Sequence, residues 1–174
     1  MNSKFIITAS VLLLVLSCNG KVKETPESDI IEAERAMVGA NRILVKKDQE
    51  KIKAYIQRNN LSLEESPTGL WYGITVKGTG DKAAEGLIAT LVYKVSLLDG
   101  TLCYDSEVLG AKQFRIGQGG VEAGLEEGLL MLTVGSKATF IMPPHLAHGL
   151  PGDGNKIPAR SIIVYDVELL KLEP

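Results

Sequence analysis

Tyr93, Tyr104, Val121, Leu125, Ile157 and Tyr165 fall where a compact β-domain could bring them around one apolar hollow. No nucleophile beside a base is apparent among them. An apolar hollow without a nucleophile suits chemistry driven by desolvation rather than by covalent attack. Cys103 reads as a buried, inert thiol, since a redox or nucleophilic role would need a nearby base. His145 and His148, at i and i+3, are the two histidines of the chain and lack a cysteine partner, which is thin support for zinc. No cofactor or metal is expected.

The elements that must position these residues are short. Ser66-Pro67-Thr68-Gly69 is a turn, followed by a strand over 70–77 and a second turn at Gly78-Thr79-Gly80-Asp81. Leu87, Ala89, Leu91, Tyr93, Val95 and Leu97 alternate with mostly polar residues, the period of a half-buried strand. Asp99-Gly100 closes that strand with a hairpin signal. Strands follow over 112–116, 137–142 and 162–172, with a Pro- and Gly-rich loop over 143–158. Between them the loop Gly117-Gln118-Gly119-Gly120 delivers a short helix over 121–131, whose Val121, Leu125 and Leu129 share one face. This order predicts an α+β fold: a twisted antiparallel β half-barrel wrapped around a short α-helix, preceded by a long N-terminal α-helix.

That long helix is expected over 29–60, with Ser28 as its N-cap and Asp29 in its first turn. Ile31, Val38, Val45 and Ile52 recur every seven residues, and Ile30, Met37, Leu44, Tyr55 and Ile56 widen the stripe. The pattern fits a helix–helix seam with a second copy of the chain or another partner, and also a single helix packed on the β-domain. Upstream, Lys4 and the apolar run 5–16 form a signal segment, 1–17, too short to span a bilayer. Val15-Leu16-Ser17-Cys18 resembles a lipoprotein cleavage site with Cys18 lipidated, the alternative being an ordinary secretory signal with an incidental Cys, and 18–28 reads as a flexible polar spacer. The β-domain occupies 66–174. A net charge of −2 supplies no basic field, so nucleic acid is not an expected partner.

In chain order, Asp99-Gly100, Tyr104-Asp105-Ser106, Ile116-Gly117, Val121-x-x-Gly124-Leu125-Glu126-Glu127-Gly128 and Val164-Tyr165-Asp166-Val167-Glu168-Leu169-Leu170 resemble the FKBP family of peptidyl-prolyl cis-trans isomerases. The likeness runs over about 70–173. The upstream half resembles lipid-anchored envelope members of that family, including those of Bacteroidetes.

The resemblance implies a rotamase for X-Pro bonds, with proline bound between sheet and helix. It implies Tyr93 and Tyr165 as aromatic walls, Tyr104 at a position usually held by Phe, and Asp105 as a rim carboxylate. Val121 would offer backbone groups at the helix entrance. Leu125 would form the floor, His148 the rim donor and Ile157 a flap residue. Three departures stand out. Glu122 replaces the usual Ile and His148 the usual Tyr, and one extra residue before Tyr104 requires a bulge in Thr101-Leu102-Cys103. The implied clients are unfolded or nascent proline-containing envelope proteins. The implied location is the bacterial cell envelope, lipid-anchored at the outer membrane and facing the periplasm.

Bland readings stand beside these. Tyr93 and Tyr165 are also plausible core residues with satisfied hydroxyls, Asp105 a turn cap, His148 an exposed loop residue and Trp71 simple packing. Glu122, Glu126 and Glu127 need only favour the N-terminal half of the short helix. A non-catalytic peptide-binding chaperone and a structural envelope component remain as alternative functions.

Overall fold

The computed structural model describes residues 27–174. The signal segment, Cys18 and nearly all of the spacer lie outside the described residues. In order, the elements are α1 (Glu27–Arg58), β1 (Glu64–Glu65), β2 (Trp71–Val76), β3 (Ile88–Leu97), β4 (Leu102–Asp105), α2 (Ser106–Leu109), β5 (Lys112–Arg115), α3 (Ala123–Leu129), β6 (Lys137–Met142), a 3-10 turn (Pro144–Leu146) and β7 (Ile163–Glu173). The expected α+β class and antiparallel sheet are present. All pairings are antiparallel, in the order β1-β2-β6-β7-β3-β4, with β5 also on β3.

The chain divides into two compact units, with the boundary between Val38 and Gly39. That boundary falls inside α1. The first unit contributes the helical stretch from Glu27 to Val38, on which Ile30, Ile31, Met37 and Val38 are exposed. In the second unit, Ile52 is fully buried with Trp71, Ile141, Ile162 and Val164, and Tyr55, Ile56, Leu61 and Leu63 pack against them. Trp71 is thus packing, as its bland reading had it. Asp48 and Arg160 add an ion pair at 2.5 Å. The C-terminal half of α1 consequently behaves as the packed amphipathic helix.

The other face of the sheet carries the main core. Residues alternate along β6 and β7: Phe140, Met142, Ile163, Tyr165, Val167 and Leu169 face α3, while Ile141 and Val164 join Ile52. Leu125, Leu129 and Leu132 fill the space beneath. Two glycines let α3 approach: a Cβ on Gly128 would lie 2.6 Å from the Phe140 ring, and one on Gly124 2.9 Å from Met142. That close approach explains both ends of the Gly-Leu-Glu-Glu-Gly run.

The β3–β4 hairpin carries the expected bulge. Val95 pairs with Tyr104 and Ser96 with Leu102, so Cys103 is the unpaired extra residue. Gly100 turns the hairpin at φ 89°, a conformation available to glycine at little cost. Helix α3 is shorter than the 121–131 expectation. Glu122 is its N-cap in the extended conformation usual for that position (φ −60°, ψ 134°), after Gly119 and Gly120 at positive φ.

Candidate active site

Strands β3 and β7 bring Tyr93 and Tyr165 to one face. Tyr93 pairs with Val167, two residues on from Tyr165, so the two rings are diagonal neighbours. Their centroids lie 5.6 Å apart and their planes tilt by 36°. They open onto a hollow of about 420 Å³ that is also lined by Val95, Tyr104, Leu109, Lys112, Glu122, His148, Asp153 and Asn155. Leu125 and Ile157 lie in the core, not on the wall of this hollow. Val121, half-buried, lines an adjoining hollow of about 360 Å³ together with Gly120, Ala147 and the shared trio Lys112, Glu122 and His148.

Of the eight residues singled out in sequence, Tyr93, Tyr104, His148 and Tyr165 meet around the first hollow and Val121 borders the second. Asp105 lines neither. Its carboxylate caps α2 by accepting from the Glu107 amide at 2.8 Å and pairs with Lys94 at 3.0 Å. Those contacts hold it below the usual carboxylate range, the amide bond first and Lys94 second. The turn-cap reading describes Asp105 as it stands. The two histidines are not a metal pair: His145 Nε2 donates to the Thr68 carbonyl at 2.9 Å, whereas His148 faces Glu122. Among the described residues no group of three or more His, Cys, Asp or Glu is placed to hold a metal ion. Cys103 is buried, which pushes its thiol up and away from reactivity.

The rim opposite the sheet is a short polar turn. Asp153 Oδ1 accepts from the amides of Asn155 and Ile157, each at 2.8 Å. Its Oδ2 accepts from the Tyr104 hydroxyl. Burial alone would raise the Asp153 carboxyl, but the Tyr104 bond and the two amides outweigh it and hold it low. The same bond raises Tyr104. Tyr104 therefore anchors the Ile157 turn as well as walling the hollow.

Lys112, Glu122 and Asp153 were missed as site residues. Lys112 reaches over the Tyr93 ring, 4.9 Å from its centroid, and donates to Tyr165 Oη at 2.6 Å. Glu122, with only 7% of its side chain exposed, lies 3.5 Å from Lys112 Nζ and 3.2 Å from His148 Nε2. Neither contact has hydrogen-bond geometry, so Glu122 Oε2 and His148 Nε2 stay buried without a hydrogen-bond partner. Glu122, which by sequence departs from the family's usual Ile and needs only favour the short helix, forms the floor of the polar side of the site. Glu126 acts locally, accepting from the amides of Gly117 and Gly119 at 3.1 Å each. Burial, then the Glu122 charge, push the phenols of Tyr93 and Tyr165 above their ordinary value, Tyr165 by far the more.

Residues 80–170 match the family model described as FKBP-type peptidyl-prolyl cis-trans isomerase. The chain is 32% identical over 144 residues to a Neisseria meningitidis protein named "Probable FKBP-type peptidyl-prolyl cis-trans isomerase FkpA", covering 81% of this chain and 52% of that one. It is 37% identical over 128 residues to the FkpA isomerase of Aeromonas hydrophila, covering 74% and 46%. The crystal structure of FkpA from Escherichia coli superposes with a TM-score of 0.64 at 28% identity, over 88% of this chain and 75% of that chain. The chain spans about half the length of the curated relatives it matches. With more than half of its length inside the family match, and with the sheet, helix and hollow arranged as above, the chain belongs to the FKBP-type peptidyl-prolyl cis-trans isomerase family.

Proposed function

We propose that this chain catalyses cis-trans rotation about X-Pro bonds in proteins that fold outside the cytoplasm. The observation that carries the reading is the hollow of about 420 Å³ walled by Tyr93, Tyr165 and Tyr104. Rotation about the prolyl bond must overcome amide resonance, about 18–20 kcal/mol, and needs no bond to be broken. The protein has only to bind the twisted imide better than the planar one. Aromatic walls strip water from the planar amide, whose larger dipole loses more by it. A donor at the edge, Lys112, is available to the carbonyl oxygen as it turns, with the His148 ring beside it.

The wider setting belongs to the same proposal. The apolar run 5–16 and the sequence Val15-Leu16-Ser17-Cys18 support a lipid on Cys18 and an outer-membrane anchor facing the periplasm. Similarity to proteins named FkpA is consistent with an envelope location. No described helix is long and apolar enough to cross a membrane. The exposed Ile30, Ile31, Met37 and Val38 support pairing of the N-terminal helical stretch with a second copy.

The test is refolding of a denatured protein whose slow phase is set by a non-native prolyl bond. The chain is expected to speed that phase at substoichiometric concentration, and Tyr93→Leu to lose most of the effect. Binding of the unfolded protein without acceleration would replace the enzyme with a chaperone.

A further inference from the structure

The polar groups around the aromatic hollow are unequally spent. Both oxygens of Asp153 are taken, by two amides and the Tyr104 hydroxyl. Glu122 is covered by Lys112 and His148. Asp105 is bound to Lys94. The donors are not used up. Among the described residues Lys112 has one hydrogen-bond acceptor, Tyr165 Oη, for three ammonium protons, and a quarter of its side chain stays exposed at the hollow. His148 is exposed to a similar degree, and Lys156 stands over the Tyr104 ring, 5.4 Å from its centroid. A ligand in the hollow therefore meets the unspent ammonium donors of Lys112, while the carboxylates of Asp153 and Glu122 are hydrogen-bonded or buried in ion pairs. Lys112 above buried Glu122 is a dipole with its positive end toward the ligand.

The trio Lys112, Glu122 and His148 lines both hollows, so it stands between them. A peptide whose proline ring fills the first hollow and whose neighbouring residue lies over the second must cross this trio. We propose that the site selects prolyl segments carrying a carboxylate side chain, Asp or Glu, beside the proline, with Lys112 as the specificity-determining residue and Glu122 as the buried counter-ion that positions it. The selection rests on the isomerase reading above. A carboxylate gains a charge-assisted hydrogen bond in a partly dry site, whereas a lysine beside the proline meets a like charge.

The experiment compares kcat/KM of the full-length chain in detergent solution on blocked peptides containing Glu-Pro, Pro-Glu, Ala-Pro-Ala and Lys-Pro. At least one glutamate placement is expected to exceed the alanine peptide by about fivefold and Lys-Pro to fall below it. High salt should shrink the preference. Lys112→Met should bring the glutamate-to-alanine ratio to about one, and Lys112→Arg should retain it. The ratio is internal to each variant, so a general loss of activity does not move it. Equal or lower rates for both glutamate peptides, or a preference that survives Lys112→Met, would overturn the selection while leaving the isomerase standing. Absence of acceleration for every peptide would overturn both.

Discussion

Lys112 Nζ donates to Tyr165 Oη across 2.6 Å, joining β5 to β7, the strands that flank β3 on opposite edges, above the ring of Tyr93. This single bond connects the cation of the site to its most buried aromatic wall. Tyr165→Phe keeps the wall and removes the acceptor. The expected cost is about 1–3 kcal/mol in urea unfolding, because a half-buried ammonium loses its hydrogen bond. No loss would mean that Lys112 is fully satisfied by Glu122.

The same phenol sets an alkaline limit. Burial, the Glu122 charge and Tyr93 raise Tyr165 well above the ordinary tyrosine value of 10.0. A group raised on folding contributes stability that is complete below its unfolded pKa and is lost as pH climbs toward its folded value. Tyr165 should be the last of the five tyrosines to form phenolate, and its ionisation should coincide with unfolding above about pH 10. Phenolate absorbance recorded beside circular dichroism checks this, and ionisation of all five in the folded protein would contradict it.

Asp153 acts at the other end of the scale. Its carboxyl is held low by Tyr104 and the amides of Asn155 and Ile157, against the upward push of burial. A lowered group stabilises above its unfolded pKa and ceases to do so as pH falls through its folded value. Below about pH 4 the Asn155 and Ile157 amides should exchange faster with solvent than the β6 amides do. Asp153→Asn should exchange fast at neutral pH and show little further change on acidification.

The packing of α3 predicts an unusually costly alanine. A methyl at Gly128 would lie 2.6 Å from the Phe140 ring, which is itself fully buried. Gly128→Ala should destabilise by about 1–3 kcal/mol despite the helix-propensity gain of about 1 kcal/mol. Phe140→Leu in the same chain should recover part of that loss. Additive costs in thermal melts would show that the ring and helix do not meet.

The division of α1 is testable by two truncations of one stripe. Ile52→Ala should cost about 2–5 kcal/mol, since Ile52 is fully buried beside Trp71. Val38→Ala, at a position 59% exposed, should cost under about 0.5 kcal/mol in a monomer. A larger, concentration-dependent cost at Val38 would indicate that a second copy covers it.

Much of this architecture is legible in the residues themselves. The alternation from Leu87 to Leu97 and the Asp99-Gly100 turn are local signals that local geometry satisfies, whereas the bulge within Thr101-Leu102-Cys103 follows from the family resemblance. The aromatic walls follow from strand pairing and the family resemblance. The polar side of the site is not local. Lys112 and Tyr165 are 53 residues apart, and a lysine opening a strand carries the ordinary pattern of a solvated edge. Glu122 carried a signal, since a carboxylate stands where the family has an apolar residue. Its burial under Lys112 depends on β5 and α3 meeting. The packing of Ile52 on the sheet was equally hidden, because a seven-residue repeat reads the same whether a sheet or another helix covers it.

The most direct test is cis-to-trans relaxation of a short Ala-Pro peptide, followed by NMR exchange, with the full-length chain and its Tyr93→Leu variant. The account predicts catalysed exchange by the unaltered chain, reduced at least tenfold in a Tyr93→Leu protein that melts as a folded domain. Exchange no faster than in buffer, or undiminished in the variant, would contradict catalysis in the hollow between Tyr93 and Tyr165.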